Sequence, residues 1–214
     1  MSKQRGAEKT CGVGTNDSEY PVSEYDCHME GGKQVCKLLW TCPLYQVWSS
    51  MLKRCYGANR HIKHPTYESC SVCDEWLLFS NFRAWMIEQD WEGKQLDKDI
   101  LGCGNLYSPE NCTFVSRSVN LFLNTHGRRN RELPTGVTLH KNGKYIAQIH
   151  VVTGGQIYLG SFNSSREAHD AWFLEKQRQC LALIEKEQLN PVVGKALFSK
   201  TLQLYQGTGK EFQA

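Results

Sequence analysis

Between Leu96 and Asn120 runs LDKDILGCGNLYSPENCTFVSRSVN, a stretch that gathers carboxylates, side-chain amides and a lysine. Asp97 and Asp99 flank Lys98, and Asn111 and Asn120 follow. Oxygen ligands of this kind suit magnesium or manganese. A divalent ion held on a phosphate needs a ligand or two, a base to activate water, and a side chain on an adjoining helix to complete the coordination. Metal-assisted phosphodiester hydrolysis is the chemistry such a set would serve. The same residue types also form turns, because Asp and Asn bond to nearby backbone.

The elements around the stretch are compact and local. QLDKDIL reads as a strand, CTFV as a second short strand, and SRSVNLFLN as a helix with Ser116 as its N-cap. Upstream, CPLYQVWSSMLKRCY places Leu44, Trp48, Met51, Leu52 and Cys55 at helical spacing, with Pro43 suited to the first turn. DEWLLFSNFRAWMIEQ carries Trp76, Phe79, Phe82, Trp85 and Met86 along one face of a second helix. Residues 1–36 are poor in aliphatics and read as a poorly ordered arm.

Beyond the basic stretch THGRRNRELP lie three β-rich runs, separated by KNGK and TGG. Asn142-Gly143 is a strong hairpin signal. The helix that follows opens with Ser164 and Glu167 at capping-box spacing, ahead of Ala168, Ala171, Trp172 and Phe173. These elements predict an α+β chain in five parts: the arm, a helical and ββα domain over 37–126, a basic linker over 127–134, a three-stranded sheet plus helix over 135–187, and a C-terminal extension over 188–214 with a short helix.

Ten cysteines are many for 214 residues. The N-terminus has no apolar signal core, so the chain reads as intracellular, with its thiols reduced or holding metal. Cys55, Cys70, Cys73 and Cys112 offer a thiolate set for structural zinc, near His61 and His64. Packing of small apolar cysteines between helices is the alternative. Cys11, Cys27 and Cys36 are spaced too irregularly to argue from. No run reaches the roughly 18 apolar residues that a membrane span needs.

Net charge is +3, but it is unevenly spread. From Ser116 to His150, Arg117, Arg128, Arg129, Arg131, Lys141 and Lys144 face one acid, Glu132, with His126, His140 and His150 in the same window. Local excess of this kind suggests a polyanion-binding face.

Two resemblances cover most of the chain. The strand–loop–strand–helix of 96–124, with WSSMLKRCY, YESCSVCDEWLLFSNFRAW and YSPENC around it, resembles the HNH (ββα-metal, His-Me finger) endonucleases, especially the phage and mobile-intron, homing-like branch. The likeness implies that Asp97 and Asn120 bind Mg or Mn, that Asn111 orients the site, and that Lys98 stands where the histidine base belongs. A lysine cationic at neutral pH is no base unless burial lowers its pKa. Asp99 would then serve as base or second ligand, and Lys98 would face a phosphate.

Residues 136 to about 176, through GVTLHKNGKYIAQI, IYLGSF and SSREAHDAW, resemble the plant ethylene-response-factor (APETALA-type) DNA-binding domain, which also occurs fused to phage HNH nucleases. That family lays its sheet in the DNA major groove. Its contact positions correspond to His140, Lys141, Gln156 and Tyr158. If Ile146 and Ile149 pack towards the helix, Tyr145, Gln148 and His150 project outwards. The resemblances imply a phage-encoded, sequence-selective endonuclease acting on double-stranded DNA inside a bacterial host. The runner-up is a non-catalytic DNA-binding or regulatory protein with a degenerate site. A metal-stapled interaction module is a third reading, and it leaves the basic stretch and the sheet residues unexplained.

Overall fold

A computed structural model describes residues 9–57, 69–102, 104–123, 133–151 and 154–206. The chain is mixed α+β, with small sheets, and divides into two compact units. Met1–Glu92 with Gly102–Phe114 forms one, and Gly93–Leu101 with Val115–Ala214 the other. This division does not follow the expected 37–126 domain. It assigns Asp97, Lys98, Asp99 and Asn120 to the second unit and Asn111 to the first.

The first unit begins with a correction. Ser23–Glu30 (β1) and Lys33–Thr41 (β2) pair antiparallel, although residues 1–36 are expected to be poorly ordered. Gly31 and Gly32 make the turn with φ of +57° and +78°, the left-handed pair that a two-residue hairpin loop requires. The register opposes Tyr25 to Leu38, Cys27 to Cys36 and Met29 to Gln34 on one face. On the other it opposes Asp26 to Lys37, His28 to Val35 and Glu30 to Lys33. Cys27 and Cys36 are disulfide-bonded, which overturns the expectation of reduced or metal-binding thiols at those two positions. Every residue from Glu24 to Trp40 is exposed.

The core of this unit is aromatic. Pro43–Tyr56 (α1) buries Trp48, Met51, Leu52 and Cys55. The second predicted helix is shorter than expected: Asp74–Leu77 is a 3-10 turn, and Phe79–Ile87 (α2) buries Phe79, Phe82 and Met86. Trp76 lies edge-on to Phe82, and Trp48 donates its indole N–H to the Trp76 carbonyl at 2.7 Å. Short strands Ser71–Val72 (β3) and Leu106–Tyr107 (β5) pair parallel.

In the second unit, Gln95–Asp97 (β4) is three residues long where QLDKDIL is expected to be extended throughout. The chain turns because Asp97 captures backbone N–H groups ahead of it, as shown below. Thr113–Val115 (β6), of which Val115 belongs to this unit, leads to Arg117–Phe122 (α3), with Ser116 Oγ accepting from the N–H of Val119 at 3.2 Å. Val137–Leu139 (β7), Tyr145–His150 (β8) and Gln156–Phe162 (β9) form an antiparallel sheet in that order. Ser165–Lys186 (α4) covers one face, opened by the full Ser164/Glu167 capping box. Pro191–Gln206 (α5) is a 16-residue helix, longer than the short one expected.

Two cores hold this unit. Val137, Ala147 and Ala168 join sheet to helix, with Tyr145, Leu159, Phe162 and Ala171 around them. Ile100, Val115, Val119 and Phe122 meet Cys180 and Leu183 of α4 and Val193 and Leu197 of α5. Gly136, at φ +82°, admits the Trp172 indole; a Cβ there would lie 2.0 Å from a ring carbon.

Candidate functional site

The acidic loop is organised by Asp97. Its Oδ1 accepts from the backbone N–H of Asp99 and of Ile100, both at 2.8 Å. That is an Asx-type turn, in which the carboxylate replaces the next strand bond. The residue is 8% exposed. Burial pushes its pKa above the ordinary value, against the two backbone N–H groups that favour the anion.

Lys98 is buried too, and its ammonium donates to Asp99 Oδ1 at 2.5 Å. The Asp99 side chain remains 71% exposed. The loop thus presents an outward carboxylate anchored by an inward cation.

Asn120 lies on α3 and donates its amide N–H to Gln95 Oε1 at 2.7 Å. Strand alternation puts Gln95 and Asp97 on the same face of β4, opposite Leu96. α3 therefore reaches the face of β4 that carries Asp97. Gln95 is absent from the sequence expectation; its two-residue spacing from Asp97 was the available signal. Asn111 belongs to the first unit, where its amide N–H donates to the Leu106 carbonyl at 3.3 Å. Arg117 is exposed in the first turn of α3.

The cysteine expectation fares differently. Cys55, Cys70 and Cys112 are buried and Cys73 half-buried, its thiol pushed up by burial. Among the described residues no group of three or more His, Cys, Asp or Glu side chains is gathered as a metal site, whether for zinc or for Mg or Mn. His61 and His64 lie outside the described residues.

Among the described residues, one face of the sheet is left uncovered. The register pairs Gln148 with Tyr158, His150 with Gln156, and Ile146 with Thr138 and Ser161. The side chains of Gln156 and His150 approach to 3.1 Å, and Tyr158 is 60% exposed. His140, Lys141 and Lys144 are exposed at the β7–β8 turn, where the Asn142 side chain accepts from the Lys144 N–H and Gly143 is left-handed. The turn is thus a three-residue loop of the kind that closes on a left-handed glycine.

Tyr145 is a correction. It packs with the helix-side core, and Ile146 faces outwards beside Gln148. The reason is parity: Ala147, fully buried beneath Ala168, fixes the inward set as 145, 147 and 149. Arg128, Arg129 and Arg131 lie outside the described residues. Set against models of known protein families, curated proteins and solved structures, the chain matches none of them. No described helix is long and apolar enough to cross a membrane.

Proposed function

We propose that the chain binds double-stranded DNA through the free face of the β7–β9 sheet and hydrolyses it at the Asp97 loop with magnesium or manganese. This is the reading of a phage-type HNH endonuclease joined to an APETALA-type reading domain. The observation that carries it is the uncovered polar face: Gln148 opposite Tyr158, His150 opposite Gln156, and Lys141 and Lys144 at the adjoining turn. Glutamine can pair bidentately with adenine in the major groove, and tyrosine can bond to sugar or phosphate. Among the described residues this face and its turn carry two lysines and no arginine, so binding through them depends less on salt than in a strongly basic reader.

The acidic loop has donors of the right type for a hard cation. Asp97 uses Oδ1 in its turn, so Oδ2 is the oxygen it would offer, and Asn120 would offer its amide. Bound there, the ion would polarise a phosphate oxygen and acidify water. Asp99, the exposed carboxylate, is placed to accept a proton, and Lys98 fixes its position. A non-catalytic DNA-binding protein is the second reading. It is favoured by the burial of Asp97 and its commitment to two backbone N–H groups.

Incubation of supercoiled plasmid with the protein and magnesium, manganese or EDTA separates them. Metal-dependent relaxed or linear product, lost in the Asp97→Ala, Asn120→Ala double variant, supports the endonuclease. Intact plasmid beside a salt-sensitive gel shift supports the binder. If Gln148→Ala, Tyr158→Ala leaves that shift unchanged, the sheet face is not the interface.

A further inference from the structure

We propose that Lys176 is a positioning residue: it holds the last turn of α3, the helix that carries Asn120, and through α4 ties that helix to the β7–β9 sheet. The inference rests on the proposed role of Asn120 at a metal site.

The argument starts from a stripe. Ala168, Trp172, Lys176, Cys180 and Leu183 are all buried on α4 and follow one another at the spacing of a single helix face. Such a stripe calls for apolar residues throughout, yet its centre is a lysine. Ala168 and Trp172 serve the sheet, against Ala147 and Gly136. Cys180 and Leu183 serve the core that contains Ile100, Val119 and Phe122. Lys176 stands between the two.

Its ammonium donates to the Phe122 carbonyl at 2.5 Å and lies 3.6 Å from the centroid of the Phe122 ring. Phe122 ends α3. The last carbonyls of a helix have no partner within it and carry partial negative charge, which a cation satisfies. A helix of six residues is far too short to persist alone. α3 is therefore as ordered as its supports make it: the Ser116 cap and the Asn120–Gln95 bond hold its earlier turns, and Lys176 supplies the polar support at its end. Ile100, in the same core, anchors the far side of the Asp97 turn. Both halves of the acidic site in this unit thus rest on α4, a continuous rod of about 33 Å. DNA seated on the sheet would meet Asp97 and Asn120 at a set distance, so the cut would fall at a constant offset from the recognised bases.

The test compares wild-type protein with Lys176→Met, which keeps the bulk and removes the donor. Lys176→Gln, which keeps an N–H, is the second variant should Met prevent folding. Amide hydrogen exchange is read over α3 and over β7–β9, and Mn2+ binding is read from the spin-resonance signal of the free ion. In Lys176→Met we expect α3 amides to exchange about tenfold faster, sheet amides to keep their rates, and half-saturation by Mn2+ to rise. Lys176→Gln should show the same changes at smaller size. Unchanged α3 exchange, or acceleration of sheet and α3 alike, would overturn the positioning role. If α3 loosens selectively while the wild type binds no Mn2+, the metal site is lost as a reading and the hold of Lys176 on α3 stands.

Discussion

The two hairpin-bearing regions of the chain solve the same problem in different ways. β1 and β2 form a two-stranded ribbon with both faces in solvent. Its apolar face, Tyr25, Met29 and Leu38, is left uncovered. Two strands alone are marginal in water, and here a disulfide crosses the ribbon between directly opposed residues. The β7–β9 sheet has three strands and a 22-residue helix laid across one face. It carries no covalent link, and its other face is free to be polar. Backing on one side lets a sheet keep its second side polar and exposed, whereas a ribbon without backing relies on a staple.

The backing breaks most severely at Gly136. An alanine there would adopt a left-handed conformation and drive its methyl into the Trp172 indole. Strain and overpacking together should cost about 3–5 kcal/mol. The expected result for Gly136→Ala is a large fall in thermal midpoint of the sheet-bearing unit and, on the proposed function, weakened DNA binding. A near-wild-type melting curve would show that the indole is not held where α4 places it.

Breaking the staple should matter next. Closing a loop of this length limits the unfolded ribbon by about 2–3 kcal/mol, comparable with all the stability a lone hairpin can have. Addition of dithiothreitol, or Cys27→Ala with Cys36→Ala, should therefore abolish amide protection across Ser23–Thr41. Exchange in β7–β9 should not change. If protection in the ribbon survives reduction, some other interaction holds it and the contrast between the two regions fails.

Much of this was legible in the sequence, unevenly. The faces of α1 and α2, the Ser116 cap, the Ser164/Glu167 box and the three strands after Gly136 are all carried by spacing that side-chain chemistry enforces. The ribbon is hard to read from sequence because its first strand holds no aliphatic residue and one face is charged. Yet Tyr25, Cys27 and Met29 alternate, and Gly31-Gly32 is a two-residue turn signal. The inward position of Tyr145 runs against the isoleucine pattern because Ala147 sets the parity, and a small residue under a helix can do so as firmly as a large one. At the acidic loop the residue types were readable, including the tendency of Asp97 to make a turn. The Gln95–Asn120 bond and the Lys176 support join residues far apart in sequence, so no local pattern announces them.

The smallest expected effect concerns how far the backing of the sheet extends along α4. Burial lowers the Lys176 pKa from 10.5 to about 8. Between those values the unfolded chain binds a proton that the folded chain has released. Stability should therefore rise as pH climbs from about 8 to about 10.5, and below 8 the full cost of the buried cation remains. The shift alone bounds the gain at about 3 kcal/mol. The Phe122 carbonyl and ring favour the charged form, which should leave about 1–2 kcal/mol. Cys180, one turn on, opposes this: burial raises its thiol pKa, so the unfolded chain ionises first and stability falls above pH 9. Subtracting the Lys176→Met stability curve from the wild-type curve removes most of that contribution. The difference, measured by urea unfolding from pH 7 to 10, should slope upwards with pH. A flat difference would mean that Lys176 keeps its proton throughout, held by α3 more tightly than its burial penalises it.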